Sequence, residues 1–150
     1  MTTIRRNVTV PYSAEQMYRL VNDVESYPDF LPWCERTELH RADANHVEAS
    51  ITLRKGSIRK RFSTRNELDP GREIRIHLVD GPFRRLEGSW RFRDLEQGGS
   101  LVLLEMQFEF SSRLLDLAIG PVFREIVGSL VNSFRRRADE VYTREVPRQS

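Results

Sequence analysis

From about residue 35 to residue 111, apolar and polar residues alternate along the chain, and this pattern constrains the fold more than any other feature. The clearest case is SLVLLEMQFEF, residues 100–110, where large apolar side chains occupy every second position. Turn signals at KGS, DPG, DGP and QGG divide the region into shorter segments. Alternation of this kind predicts an antiparallel sheet with one packed face and one solvated face.

Segments with helical spacing lie on both sides of this region. Before it, residues 4–10 alternate as an opening strand, and Ser13 with Gln16 three residues later has the spacing of a capping box. After it, apolar residues recur every three or four positions over 115–141, which predicts one long helix.

This order of elements predicts an α+β fold. We expect a curved antiparallel sheet of six or seven strands, wrapped around the long C-terminal helix, with two short helices after the first strand. Only the C-terminal helix is long enough to cover the apolar face of the sheet. No change in composition divides the chain, so residues 1–150 are expected to form one domain, with a core at about 4–144 and a short tail at 145–150.

The segment YPDFLPWC, residues 27–34, concentrates large apolar side chains around two prolines. It is too interrupted for a long helix and too apolar for a solvated loop. We interpret it as a short helix or turn at the rim of the space between helix and sheet. In this interpretation Phe30 and Leu31 gate an apolar cavity, while Gly120-Pro121 kinks the long helix and so sets the width of the mouth.

We expect a ligand cavity there, because one helix over a broad curved sheet rarely fills the gap at the native packing density of about 0.74. Small or polar inward residues, Ala49, Thr64, Asn66 and Gly88, leave room or hold a carbonyl group. The expected volume is roughly 300–1,000 Å³. The alternative is a solid core of interlocked aromatic side chains. The predicted cavity wall consists of Phe30, Leu31, Trp33, Phe62, Trp90, Phe108, Phe110, Ile119, Phe123, Ile126 and Leu130.

Arginine is the second notable feature, since Lys55 and Lys60 are the only lysines. Arginines on the solvated face and on the last helix are expected to neutralise RNA phosphates or to rest on an anionic membrane surface. The alternatives are a genome rich in arginine codons and a face balanced by glutamates. No DNA partner is expected. The predicted surface consists of Arg59, Arg61, Arg65, Arg91, Arg93, Arg135 and Arg136.

Catalytic and metal-binding patterns are weak. The three histidines, His40, His46 and His77, lack metal-ligand spacing, and Cys34 has no histidine placed to activate it. The DGP and QGG glycines are typical of turns and do not form a phosphate-binding loop. Glu67, Glu87, Glu105 and Glu109 alternate onto the arginine-bearing face, so we expect them to pair with arginine. No catalytic residue and no metal site is predicted.

The sequence predicts a soluble protein of the bacterial cytoplasm, at most peripheral to the inner membrane. Its first residues, MTTIRRNVTV, lack the apolar region of a signal peptide. The apolar stretch LLDLAIGPVF is far shorter than the roughly 20 residues of a membrane span. A single cysteine suits a reducing compartment.

Several blocks in order resemble one family: VPYSAEQMYRLVNDVESYPDFLPWC, KGSIRKRFSTRNEL, VDGPFRRLEGSWRF and FEFSSRLLDLAIGPVFREIVGSLVNSFRRRADEVY. They are similar to the coenzyme Q-binding, polyketide-cyclase-like family of the START superfamily, and most similar to its bacterial ribosome association toxins. The resemblance covers nearly the whole chain and implies a helix-grip fold. Family members are described as ubiquinone-binding proteins, as factors that block joining of the ribosomal subunits, or as cyclases.

The resemblance implies three functions, which we rank. The first is a non-catalytic carrier that holds ubiquinone or another hydrophobic small molecule in support of respiration, with no other cofactor required. The second is a toxin that binds the large ribosomal subunit and blocks its association into the 70S ribosome. A cyclase-like enzyme comes third, because the sequence offers no convergent polar groups for catalysis.

Overall fold

Seven antiparallel strands form a single sheet in the order β1-β7-β6-β5-β4-β3-β2. The computed structural model describes the backbone of residues 1–145 and the side chains of residues 1–143, so most of the predicted tail lies outside the described residues. The strands are β1 (Thr2–Val10), β2 (Cys34–Ala42), β3 (His46–Lys55), β4 (Ile58–Asp69), β5 (Glu73–Asp80), β6 (Phe83–Asp94) and β7 (Ser100–Phe110). The helices are α1 (Ala14–Asn22), a 3-10 helix (Val24–Asp29) and α2 (Arg113–Glu145). The predicted α+β helix-grip fold is confirmed.

The register of the sheet explains its two faces. Met106 of β7 lies between Ile4 of β1 and Gly88 of β6, and Gly88 lies opposite Ile76 of β5. Residues directly opposite each other on neighbouring strands point to the same face of the sheet, so these four residues share one face. This is the face that α2 covers, since Met106 and Ile76 line a cavity with residues of α2. A Cβ atom at Gly88 would come within 2.6 Å of the Met106 Sδ, so glycine there makes room for the thioether.

Helix α1 begins with the predicted capping box. The Ser13 hydroxyl accepts a hydrogen bond from the Gln16 backbone N–H at 3.1 Å, and the Gln16 side-chain oxygen accepts one from the Ser13 N–H at 2.8 Å. These bonds satisfy two backbone donors that a helix start leaves unpaired. Tyr142 of α2 donates to the Gln16 carbonyl at 2.6 Å, which ties the two helices together.

The YPDFLPWC segment is part helix and part turn, as predicted. Its first residues complete the 3-10 helix, and Cys34 begins β2. The Leu31 N–H donates to the Tyr27 carbonyl at 3.0 Å, and the Arg54 N–H of β3 donates to the Trp33 carbonyl at 2.8 Å. The first of these bonds lies within the segment, and the second ties the segment to β3.

Helix α2 is one element of 33 residues that continues through Pro121. At 1.5 Å per residue it is about 50 Å long, enough to cross the whole concave face of the sheet. The Arg124 guanidinium contacts Asp116 at 3.2 Å, so an ion pair spans the turn that contains Gly120 and Pro121. A side chain at Gly120 would collide with both partners of this pair.

Candidate ligand cavity and arginine surfaces

An apolar cavity of about 80 Å³ lies between α2 and the concave face of the sheet. Six of the eleven residues predicted for its wall line it: Trp33, Phe62, Trp90, Phe123, Ile126 and Leu130. Ala49, Thr64 and Asn66, predicted as small or polar inward residues, line it as well. Gly88 does not itself line the cavity; it lies beneath Met106, which does.

The other five predicted wall residues lie elsewhere. Phe108 and Phe110 pack on Phe123 with ring centroids 4.8 and 5.9 Å away, outside the cavity lining. Ile119 is buried in the core. Leu31 is only 1% exposed, and Phe30 packs on the Phe134 ring at 5.3 Å. Neither residue of the proposed gate lines the cavity in the described part of the chain.

Two aromatic clusters explain why the cavity is much smaller than the roughly 300–1,000 Å³ expected. At one end, five phenylalanine rings pack together with centroids 4.8–6.3 Å apart. At the other end, Phe134 makes edge-to-face contacts with Tyr27 and Trp90. The interior is thus nearly solid at both ends and open only in the middle, which corrects the expectation of a large cavity. The first cluster consists of Phe62, Phe83, Phe108, Phe110 and Phe123.

Polar groups without hydrogen-bond partners adjoin the cavity. The side-chain oxygen of Asn66 and the indole nitrogen of Trp33 are both buried and have no hydrogen-bond partner among the described residues. Tyr27 is satisfied, since its hydroxyl donates to the Val21 carbonyl, and burial raises the pKa of this phenol far above its usual value. An unpaired buried polar group costs about 1–3 kcal/mol, so these two atoms are available to a bound molecule with a complementary group.

Sequence reasoning missed two important wall residues, Tyr27 and Phe134. Both were visible in the sequence, Tyr27 in the YPDFLPWC segment and Phe134 on the apolar stripe of the long helix. Periodicity showed that Phe134 faces the sheet, but it could not show that its ring enters the space left for a ligand.

The seven predicted surface arginines do not form one surface. Arg59 and Arg61 lie on the convex face near β2 and contact Glu35 at 2.8 Å and Glu38 at 3.4 Å. Arg65 lies in mid-sheet opposite Glu48. The other four members lie apart from these. Arg91 and Arg93 project from β6, whereas Arg135 and Arg136 lie on α2.

A basic ridge surrounds Arg91 and Arg93. Both arginines line a shallow depression of about 210 Å³ with Arg5, and a groove of about 740 Å³ with Arg72. Four acidic residues also line that groove: Glu15, Asp69, Glu73 and Asp94. Arg91 contacts Glu73 at 3.1 Å and Arg5 contacts Glu105 at 2.8 Å. Among the described side chains, Arg72 and Arg93 form no ion pair within 4.0 Å. We call Arg5, Arg72, Arg91 and Arg93 the basic ridge. The Arg6 side chain points to the other face of the sheet, in one row with Leu104 and Trp90 and toward Gly128 of α2.

The glutamates predicted to pair with arginine do so. Glu67, Glu105 and Glu109 contact Arg75, Arg5 and Arg84 at 3.6, 2.8 and 3.8 Å respectively. Glu87 instead contacts Arg85 of its own strand, at 3.9 Å, and is not a cross-strand partner as expected. Exposed pairs of this kind contribute little to stability, and their carboxylates are already engaged.

Cys34 is not an activated nucleophile, and the described residues assemble no metal site. Burial raises the pKa of the Cys34 thiol to about 11, so the thiol stays protonated at neutral pH. No three His, Cys, Asp or Glu side chains within this part of the chain come close enough to hold a metal ion. None of the helices described here combines the length and apolar character needed to cross a bilayer.

A seven-stranded sheet that grips one long helix around a small apolar cavity is the arrangement of a START-like protein. The family model described as "Polyketide cyclase / dehydrase and lipid transport" matches residues 10–135. The chain belongs to this family.

Two individual proteins are similar to this chain over more than nine tenths of its length. Ribosome association toxin RatA of Escherichia coli (strain K12) is 44% identical over 143 residues, which cover 95% of this chain and 90% of that protein. Coenzyme Q-binding protein COQ10 homolog B, mitochondrial, of Xenopus laevis is 31% identical over 141 residues, which cover 91% of this chain and 58% of that protein. The predicted resemblance to ribosome association toxins is confirmed.

Solved structures show the same fold. The Zhui aromatase/cyclase from Streptomyces sp. R1128 superposes with a TM-score of 0.81 at 18% identity, over 92% of this chain and 93% of that one. A START superfamily protein from Mycobacterium smegmatis superposes with a TM-score of 0.78 at 17% identity, over 93% and 98%. At these identities the likeness extends to the fold alone.

Proposed function

We propose that this protein associates with the large ribosomal subunit and opposes the joining of the subunits. The observation that carries the proposal is the 44% identity to ribosome association toxin RatA over 95% of the chain. This function, ranked second from the sequence, is favoured over a quinone carrier because the cavity is small and because the relative named for coenzyme Q is less similar, at 31% identity.

The basic ridge is the surface best suited to ribosomal RNA. Two of its four arginines, Arg72 and Arg93, have no acidic partner among the described side chains, so their charges are free to meet phosphates. Arg59 and Arg61 already contact glutamates, which an RNA would have to displace. Each arginine that contacts a phosphate releases counterions, so the affinity falls steeply as salt rises.

Ribosome sedimentation tests the proposal. Added protein should shift 70S particles toward free subunits at low salt, and the protein should sediment with the large subunit. The double variant Arg72→Ala/Arg93→Ala should weaken binding and reduce the salt slope by about 2, because each of the two arginines neutralises one phosphate.

The matched control is Arg59→Ala/Arg61→Ala, which removes the same net charge from arginines that already pair with glutamates. It should change binding much less than the ridge variant. Equal reductions for the two variants would place the RNA-binding surface elsewhere, and no subunit shift with the unmodified protein would refute the proposed function.

A second candidate function is binding of a small apolar molecule that carries one hydrogen-bonding group. The unpaired Asn66 side-chain oxygen at the apolar cavity favours it, since a ligand hydroxyl or amide would satisfy that atom. At about 10–15 Å³ per water-sized group, the cavity accommodates roughly five to eight such groups. A whole ubiquinone would require α2 to move away from the sheet.

Solvent extraction of the purified protein, followed by mass spectrometry, tests this second function. A bound molecule in near-stoichiometric amount supports it, and the Asn66→Leu variant should retain less of the molecule while remaining folded. Empty preparations from cells grown under several conditions would count against it.

A further inference from the structure

A groove of about 440 Å³ runs along the outer edge of the cavity between α2 and the β3–β4 hairpin. Its helical side is a stripe of Glu125, Ser129, Ser133 and Arg136, spaced three or four residues apart. The two serine hydroxyls donate to carbonyl groups of the same helix at 2.8 and 3.1 Å, so they leave the groove open. The hairpin forms the opposite side.

Two cations face this groove, Lys55 of β3 and Arg136 of α2, against the single carboxylate of Glu125. Arg54 points to the opposite face of the sheet, where it contacts Glu35 at 3.6 Å. Lys55 contacts Glu125 at 3.1 Å, and within the described part of the chain the Arg136 side chain donates only to the Ser133 hydroxyl, at a long 3.4 Å. The groove therefore carries an excess of positive charge, with one internal carboxylate that occupies part of it.

The groove and the cavity share two wall residues, Trp33 and Ile126. A molecule that extends past these two side chains would have one end among cations and the other among apolar residues. The indole N–H of Trp33 is buried and unpaired at this junction, so a donor is available where a head group would meet its chain.

We propose that groove and cavity form one binding site for an anionic amphiphile with a short apolar chain. A carboxylate or phosphate head lies near Lys55 and Arg136, and the chain enters the cavity past Trp33. This proposal rests on the second candidate function and adds a negatively charged head to the ligand. It places that head in the groove and not on the basic ridge.

Tryptophan fluorescence provides a direct measurement, because both tryptophans of the chain, Trp33 and Trp90, line the cavity. Titration with saturated fatty acids from butanoate to dodecanoate should shift the emission. Affinity should rise about fourfold for each added methylene until the chain fills the cavity, and then level off. Octanoate should bind at least tenfold more tightly than 1-octanol, which has the same chain and no charge.

Three variants locate the head group. Arg136→Gln should weaken octanoate binding about tenfold, because it removes a hydrogen bond to a charged group, and should leave 1-octanol unchanged. The matched control is Arg135→Gln, which removes the same charge from the neighbouring residue outside the groove and should have less than a twofold effect. Glu125→Gln should strengthen octanoate binding, because it removes the carboxylate that competes for Lys55.

Equal affinities for octanoate and 1-octanol, or equal effects of Arg136→Gln and Arg135→Gln, would overturn the proposal while leaving apolar ligand binding intact. Absence of any response to 1-octanol and octanoate would refute both. If inorganic phosphate alone produces the same response and displaces octanoate, the groove is a site for free anions and the amphiphile proposal fails. Octyl phosphate should bind like octanoate if the anionic head is what the groove recognises.

Discussion

Replacement of Phe134 by alanine should lower the free energy of unfolding by about 4 kcal/mol. The Phe134 side chain is only 1% exposed and makes edge-to-face contacts with the rings of Tyr27, Phe30 and Trp90 at centroid distances of 5.5, 5.3 and 5.3 Å. Core Phe-to-Ala changes cost about 3–5 kcal/mol. Each aromatic pair adds about 0.5–1.5 kcal/mol to what burial alone contributes, which favours the upper half of that range.

Urea unfolding followed by circular dichroism measures this loss, and the midpoint should fall while the slope stays constant. A domain of this size is stable by about 5–15 kcal/mol, so the variant should remain folded. The matched control is Leu114→Ala on the same helix, whose side chain is 76% exposed and should change stability by no more than about 0.5 kcal/mol.

The void left by Phe134→Ala adjoins the cavity, since Phe134 is part of its wall. The variant should therefore bind longer apolar chains than the unmodified protein. A loss of stability below about 2 kcal/mol, with no change in the preferred chain length, would mean that the neighbouring rings close over the gap. That result would refute the view that Phe134 sets the size of the cavity.

Three further predictions concern local structure. Gly99→Ala should destabilise the protein by about 1–3 kcal/mol more than Gly71→Ala in thermal unfolding, because the two glycines have φ of 75° and 78° but only the Gly99 Cβ would strike the Val10 carbonyl. Ser13→Ala should cost about 1 kcal/mol in urea unfolding, whereas a change within error would mean that the capping box is not formed in solution. Burial raises the pKa of the Cys34 thiol to about 11, so Cys34 should react with iodoacetamide at pH 8 only after unfolding. The contribution of the buried, protonated thiol to the free energy of unfolding is complete below the ordinary thiol pKa, and it declines as the pH rises toward 11.

Local patterns predicted the elements of this fold well. Period-two alternation located the strands, and the Ser13 capping box located the start of α1, because both signals arise from neighbouring residues. The cavity was predicted less well. Its size depends on how Phe134 and the five-phenylalanine cluster fill space between distant elements, and no spacing along the chain reports that.

The sequence also predicted the arginine surface only in part. Alternation correctly assigned Arg59, Arg61, Arg91 and others to the solvated face, but it did not show which of them meet acids. That outcome depends on which residues the register brings together, such as Glu73 of β5 beside Arg91 of β6. Arg72, which completes the basic ridge, belongs to a turn, where the pattern carried less information.

Strand β1 is synthesised before the other six strands of the sheet, yet its partner is β7, the last of them: Thr2 lies opposite Phe108. Its successor β2 forms the opposite edge of the sheet and offers it no hydrogen bonds. During translation β1 therefore remains without its partner strand until β7 has been synthesised. The pairing of the first strand with the last completes this sheet late in synthesis, and a chain interrupted before residue 100 lacks the strand with which β1 pairs.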